Sequence, residues 1–171
     1  MIELLHTDIT TLHVDAIVNA ANASLSGGGG VDGAIHRAAG PELMEALRRY
    51  PGCPTGGAVI TEGFRVPARF IIHAVGPIWQ GGSRGEAELL TRAYETAFNL
   101  ARDQGSIRSI AFPAISAGVY GYPKAQAAEA ALRVMLRHEH RFDRIIAALF
   151  DAEHLQIYRS TLDSIRRSGL A

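Results

Sequence analysis

The sequence has one cysteine, no excess of either charge and no long apolar run. Cys53 cannot form an internal disulfide, which fits a reducing compartment, so we expect a cytoplasmic protein. The 17 basic and 17 acidic side chains cancel, whereas a protein that grips nucleic acid phosphates usually carries a basic excess. No apolar run reaches about 18 residues, and the N-terminus lacks the basic start of a signal peptide. We therefore expect neither a nucleic acid partner nor a membrane association.

Glycine is the residue in surplus, at 18 of 171 residues, or about 10% against a usual ~7%. The remaining composition, 47% hydrophobic and 20% charged, is typical of a globular protein. The sequence shows no linker, repeat or low-complexity segment, so we expect a single domain over residues 1–171. It also lacks coiled-coil heptads, and we expect a monomer.

Strand-like apolar runs alternate with amphipathic helical patterns along the chain. Near-continuous apolar runs are typical of strands covered on both faces. The alternation predicts an α/β fold, a three-layer α/β/α sandwich around a mixed, mostly parallel sheet. The predicted strands cover residues 1–5, 14–20, 58–61, 69–75, 107–112 and 144–150. Two helices are predicted over residues 31–39 and 42–49. A third is predicted to follow a capping box formed by Ser83 and Glu86, and a fourth to have Pro123 in its first turn. A fifth, C-terminal helix is predicted to be capped by Asp151.

Two glycine-bearing loops follow predicted strands and lead into predicted helices. Residues 27–33 hold five of the 18 glycines, and residues 113–123 form the second loop. Glycine lets backbone N–H groups approach a ligand closely, and a helix N-terminus attracts phosphate without any lysine. Ligands of such sheets bind beyond the carboxyl ends of the strands, so we expect both loops and Asp151 at one edge. A flexible surface turn is the alternative for either loop alone.

Established nucleotide motifs do not account for these loops. The sequence has no Gly-Lys-Ser/Thr, which excludes a Walker P-loop. Gly28, Gly30 and Gly33 match the spacing of the dinucleotide fingerprint, but the first lies about eight residues past its strand. We interpret that match as accidental, and a Rossmann oxidoreductase remains an alternative.

Polar residues near the first loop are candidates for ligand contacts. Asn22 offers both a donor and an acceptor, which suits sugar hydroxyls. Asp32 can hold a water or a hydroxyl, or it can simply cap the helix, which spacing alone favours. Asn19 can bond the backbone and shape the loop.

Other reactive side chains lack the context of a site. His73 lies in an apolar strand and is expected to be a hydrogen-bonded core residue. Ser116 has no nucleophile-elbow sequence around it, so we expect it to shape its loop. Cys53 has no histidine partner in sequence. His138 and His140 have no further ligand nearby, so we expect neither a metal nor a cofactor.

The paired motifs resemble those of the macrodomain family and, within it, the MacroD-type ADP-ribosyl hydrolases. Asn22 is followed after six residues by Gly29-Gly30-Val31-Asp32, and Gly118-Val119-Tyr120-Gly121 follows much later. Their matching order makes the resemblance specific, and it covers essentially the whole chain. Further similar stretches are residues 8–10, 17–22, 55–56, 72–77 and 113–116.

The resemblance implies a macrodomain sandwich with ADP-ribose as its ligand. Asp8 and the Ile9 backbone would bind adenine, on which Phe150 would pack. Asn22 would bind distal-ribose hydroxyls, and Asp32 would orient the attacking water, which makes these two the implied catalytic residues. The implied ADP-ribose-binding residues are Asp8, Ile9, Asn22, Gly29, Gly30, Val31, Asp32, Ser116, Ala117, Gly118, Val119, Tyr120 and Phe150.

The implied reaction removes mono-ADP-ribose from aspartate and glutamate side chains and deacetylates O-acetyl-ADP-ribose. Mono-ADP-ribosylated proteins, ADP-ribose and O-acetyl-ADP-ribose are then the partners. Either Asp32 or a phosphate of the ligand can activate the water. A non-catalytic ADP-ribose reader is the first alternative, and a module that binds RNA or poly(ADP-ribose) is the second.

Overall fold

The computed structural model describes residues 1–169 and contains one six-stranded sheet in the order β1-β6-β5-β2-β4-β3. All neighbouring strands are parallel except β3, which pairs antiparallel with β4. The predicted mixed, mostly parallel sheet is therefore confirmed. The strands are β1 (Ile2–His6), β2 (Ala16–Ala20), β3 (Ala58–Glu62), β4 (Phe70–Ala74), β5 (Ser109–Phe112) and β6 (Arg144–Leu149).

Within residues 1–169, five α-helices cover the two faces of the sheet, as the predicted three-layer sandwich requires. The helices are α1 (Gly30–Ala39), α2 (Pro41–Leu47), α3 (Glu86–Gln104), α4 (Lys124–His138) and α5 (Ala152–Arg167). The apolar stripe of α3, including Tyr94 and Phe98, packs with α4 and α5 on one face. Ile35 and Leu43, from α1 and α2, pack on the other face against Ile17 and Ile71. The central strands are mostly apolar on both sides because both sides are covered.

For three of the predicted helices the sequence assigns a role to a residue at the helix start, and two of these assignments differ from the structure. Asp151 caps α5 as predicted, since its side chain accepts a hydrogen bond from the His154 N–H. Pro123 is the residue before the first turn of α4 and not within it. The capping box at Ser83 is wrong: α3 begins at Glu86, its N-cap is Gly85 in the left-handed conformation, and no side chain caps it.

Glu86 binds backbone N–H groups of the preceding loop instead of forming the predicted capping box. Its carboxylate is only 1% exposed and accepts the backbone N–H groups of Gln80 at 2.8 Å, Gly82 at 3.1 Å and Arg84 at 2.7 Å. Burial raises the pKa of this carboxyl, but the backbone N–H groups outweigh burial and lower the pKa to about 2 from 4.5. Glu86 therefore organises the loop that leads from β4 to α3.

We expect Glu86→Gln to lower the melting temperature at pH 7 by roughly 5 °C. The stabilisation from the lowered pKa is complete above pH 4.5 and is lost as the pH falls toward 2, so the difference from the wild type should shrink across that range. Thermal melts from pH 7 to pH 3 measure it. Glu88→Gln, an exposed position in the same first turn, is the matched control. A constant difference at every pH would contradict the expectation.

No helix in residues 1–169 combines the length and the apolar character needed to cross a membrane.

Candidate functional site

Four adjacent parallel strands bring the predicted site residues to one edge of the sheet, in a fixed order. Asp8 follows β1, Phe150 follows β6, residues 116–120 follow β5, and Asn22 follows β2. Because neighbouring strands lie about 4.8 Å apart, the row from β1 to β2 spans about 14 Å. We call the row of loops at these strand ends the cleft, and its two ends carry distinct chemistry.

The β1–β6 end of the cleft carries an acid and an aromatic ring. Asp8 is exposed and begins a short 3₁₀ turn, where its Oδ1 accepts the Thr10 N–H at 2.9 Å and the Thr10 hydroxyl at 2.7 Å. Phe150 is 71% exposed, and its ring centroid lies 5.9 Å from that of His154. An exposed phenyl ring beside a carboxylate suits a flat base with an amino group.

The loop after β5 presents unused backbone donors at the middle of the edge. Gly118, Val119 and Tyr120 donate to no backbone carbonyl of the described residues. Tyr122 donates to the Ser116 carbonyl at 3.0 Å, which closes the loop. Ser116 is buried and has a φ of 67°, a backbone conformation that residues other than glycine rarely adopt. The role of Ser116 in shaping the loop stays a prediction, which its positive φ supports. N–H groups without a backbone partner suit an anion.

The glycine loop after β2 is shaped by Asn22. Its Nδ2 donates to the Gly27 carbonyl at 2.9 Å, and its Oδ1 accepts the Ser26 N–H at 3.0 Å. The loop ends at Gly29, the N-cap of α1, where no side chain caps the helix. The first N–H groups of α1 therefore have no side-chain partner at Gly29, which makes this helix end a second anion-binding feature.

Asp32 lies in the first turn of α1 and is 6% exposed. The N-cap is Gly29, so Asp32 supports the start of the helix through its charge in the first turn and not through a capping hydrogen bond. Its Oδ1 instead accepts the Asn19 amide at 2.8 Å and lies 3.4 Å from His36 Nε2. A Cβ placed on Gly28 would lie 3.5 Å from Asp32 Oδ2 and 3.9 Å from Asn22 Nδ2. Asp32 and Asn22 therefore converge on the same glycine at the β2 end of the cleft.

Comparison with known proteins decides the family. The Macro domain model matches residues 18–131 of the chain, well over half of its length. This chain belongs to the Macro domain family.

Relatives and solved structures of macrodomains resemble the chain over almost its whole length. O-acetyl-ADP-ribose deacetylase from Citrobacter rodentium is 55% identical over 168 residues, covering 94% of each chain. The Oceanobacillus iheyensis macrodomain solved with ADP is 43% identical, with a TM-score of 0.91 over 98% of this chain and 92% of that one. The Trypanosoma brucei macrodomain solved in complex with ADP-ribose is 39% identical, with a TM-score of 0.85 over 93% and 68%.

Sequence reasoning missed a buried polar row behind the site of this macrodomain. Asn19 bonds Asp32 and His73 and not the loop backbone that was expected. His73 is buried and hydrogen-bonded, as predicted, and its partners are Asn19 and Thr61. The side chains of Asn19, His73 and Thr61 come from three strands and contact each other because of how those strands pair. No local sequence motif indicates such a contact. The i, i+4 spacing of Asp32 and His36 on one helix is the signal that could have linked those two.

A second concavity of the macrodomain lies away from this edge. It has a volume of about 680 Å³ and is lined by Tyr50, Ile60 and Phe70, among others, between α2 and β3. Neither glycine loop reaches it, so it offers no donors of the kind found at the strand ends. Within residues 1–169, no three His, Cys, Asp or Glu side chains are grouped so that they could hold a metal ion.

Proposed function

We propose that this macrodomain binds ADP-ribose in the cleft and hydrolyses esters of its distal ribose. The observation that carries the proposal is the order of chemical features along the sheet edge. A carboxylate and an exposed phenyl ring lie at one end, backbone N–H groups without backbone partners lie in the middle, and Asn22 with Asp32 lies at the other end. That order matches adenine, diphosphate and distal ribose in one extended ligand.

Backbone donors explain how a neutral protein can hold a diphosphate. The loop after β5 and the uncapped N-terminus of α1 lie at neighbouring strands and offer N–H groups without adding charged residues. The relatives named O-acetyl-ADP-ribose deacetylase and the neighbours solved with ADP or ADP-ribose support the same ligand for this chain.

The proposed reaction is addition of water to an ester. O-acetyl-ADP-ribose and water give ADP-ribose and acetate, and an ADP-ribosyl ester on a protein aspartate or glutamate gives ADP-ribose and the free side chain. Asn22 binds ribose hydroxyls at the glycine loop. Asp32, anchored through Oδ1 by Asn19, directs its other carboxylate oxygen at Gly28 and orients the water. Proton removal falls to Asp32 or to a ligand phosphate.

We also propose that residues 1–171 form one macrodomain that acts as a cytoplasmic monomer. The buried lone cysteine supports a reducing compartment. Mono-ADP-ribosylated proteins are its proposed protein partners, and the balanced charge argues against nucleic acid.

Calorimetry combined with a hydrolysis assay tests the proposal. We expect ADP-ribose to bind at least about 10-fold more tightly than AMP, because AMP lacks the second phosphate and the distal ribose. The wild type should release acetate from O-acetyl-ADP-ribose and ADP-ribose from a glutamate-modified protein. Tight binding of ADP-ribose without turnover would identify a reader. Equal binding of AMP, ADP-ribose and a short RNA would contradict the proposed site altogether.

A further inference from the structure

A row of three polar side chains crosses the otherwise apolar face of the sheet that α1 and α2 cover. The row consists of Asn19 on β2, His73 on β4 and Thr61 on β3, and it ends at Asp32 on α1. Asn19 and His73 are register partners in the β2–β4 ladder. Both are 0% exposed, and Thr61 is 9% exposed. Polar groups this deeply buried are costly unless hydrogen bonds satisfy them, so their bonds define how the row is ordered.

The hydrogen bonds fix where each proton of the row lies. Thr61 Oγ1 donates to the Glu62 carbonyl at 3.0 Å, so toward His73 it acts as an acceptor. His73 Nε2, 3.0 Å from Thr61 Oγ1, is then the protonated ring nitrogen. His73 Nδ1 is left as an acceptor for Asn19 Nδ2, 3.1 Å away. Burial and the nearby His36 lower the pKa of His73 to about 3, so the ring stays neutral around pH 7.

This order determines which way the Asn19 amide faces. Asn19 Nδ2 has two hydrogens, and it has two acceptors, His73 Nδ1 and Asp32 Oδ1. A reversed amide would place its oxygen against a carboxylate and a ring lone pair, which repel it. Asn19 Oδ1 has no hydrogen-bond partner among residues 1–169. The orientation of the Asn19 amide therefore depends on the hydrogen bonds of its Nδ2 alone.

We propose that His73, supported by Thr61, is a positioning residue for catalysis by Asp32. His73 holds the Asn19 amide, the amide holds Asp32 Oδ1, and Asp32 Oδ2 is thereby kept facing Gly28. The inference rests on the proposed function, since it needs Asp32 to orient water. His36 does not replace this support, because its Nε2 lies 3.4 Å from Asp32 Oδ1, beyond a good hydrogen bond.

Three variants separate positioning from packing. His73→Leu removes the acceptor while filling similar space, and we expect kcat on O-acetyl-ADP-ribose to fall by about 10- to 100-fold. ADP-ribose should still bind within about 3-fold of the wild type, because His73 lies behind the cleft. His73→Asn keeps an acceptor at the δ position and should recover most of the loss. Thr61→Val leaves His73 Nε2–H without its acceptor, and kcat should fall by about 3-fold.

Nitrogen NMR of the wild type detects the protonation of the side chains in the row directly and needs no measurement of turnover. We expect the His73 signals of a protonated Nε2 and an unprotonated Nδ1, unchanged between pH 8 and pH 5. The Asn19 side-chain amide signals should shift in His73→Leu and return toward their wild-type positions in His73→Asn. A protonated Nδ1 in the wild type would overturn the proton order and the inference with it.

The outcomes distinguish this inference from the proposed function. A wild type that binds ADP-ribose but cleaves no ester refutes the proposed function and the catalytic role of the row together. An active wild type whose His73→Leu variant keeps its kcat refutes the inference alone. Should His73→Leu fail to fold, Thr61→Val decides, since an unchanged kcat in that variant also refutes it.

Discussion

Replacing Asp32 with alanine is expected to lower ester turnover by at least about 100-fold while leaving ADP-ribose bound within about 10-fold. Asp32 is the carboxylate at the β2 end of the cleft, and it lies in the first turn of α1, where the helix dipole favours its negative charge. In the proposed reaction its contribution is to the attack of water, which the bound product does not undergo. The loss should therefore appear in kcat and not in the binding of ADP-ribose.

Two further variants make the Asp32 result specific. Asp8→Asn changes a carboxylate three strands away, so it should raise KM and leave kcat nearly unchanged. Asn22→Ala removes three hydrogen bonds that shape the glycine loop, so it should lower turnover and weaken binding together. Release rates of acetate and calorimetric titration of ADP-ribose measure both quantities. Full turnover by Asp32→Ala would show that this side chain does not orient the water.

Gly76→Ala is expected to weaken ADP-ribose binding by at least about 10-fold through the loop after β5. Gly76 is buried two residues after β4, where a Cβ would lie 2.5 Å from Ile115 Cγ2 and would overlap Ser116 Oγ. Ser116 already has a positive φ, so the backbone of this loop has little freedom to move away from the added Cβ. The backbone N–H groups that follow Ser116 would be displaced from the diphosphate.

The double variant Gly76→Ala/Ser116→Gly is the control for this overlap. Glycine at position 116 removes Oγ and adopts the positive φ without strain, so part of the lost affinity should return. Thermal melts of both variants show how much of the change is stability and how much is affinity. Unchanged ADP-ribose affinity in Gly76→Ala would mean that the loop position does not govern binding of the diphosphate.

Much of the architecture could be predicted from sequence because apolar runs and helical periodicity are local signals. The run from Arg144 to Phe150 predicted β6 to within one residue, and the strand ends then placed both glycine loops at one edge. Capping was less predictable. Asp151 has the expected partner, the His154 N–H. Glu86 does not form the predicted capping box, because its carboxylate accepts backbone N–H groups of the loop before α3 instead.

The interior of the site could not be predicted in the same way. Asn22 and Asp32 stand out because they flank a run of glycines, whereas Asn19 and His73 lie within apolar strands. Their meeting depends on which strands are neighbours and in what register they pair. Thr61 comes from an antiparallel edge strand and reaches His73 across the β3–β4 pair. Such contacts are properties of the sheet and not of any stretch of sequence.

The position of β6 between β1 and β5 has a consequence for the order of assembly. The four strands β5, β2, β4 and β3 are adjacent and lie within residues 16–112, so both glycine loops border strands that a growing chain has already made. β1, although made first, has β6 as its only neighbour in the sheet of the described residues. His6 and Phe150, which touch at the proposed adenine end, are 144 residues apart. During synthesis, the half of the cleft proposed to bind phosphate can therefore form early, whereas the half proposed to bind adenine must wait for the last strand.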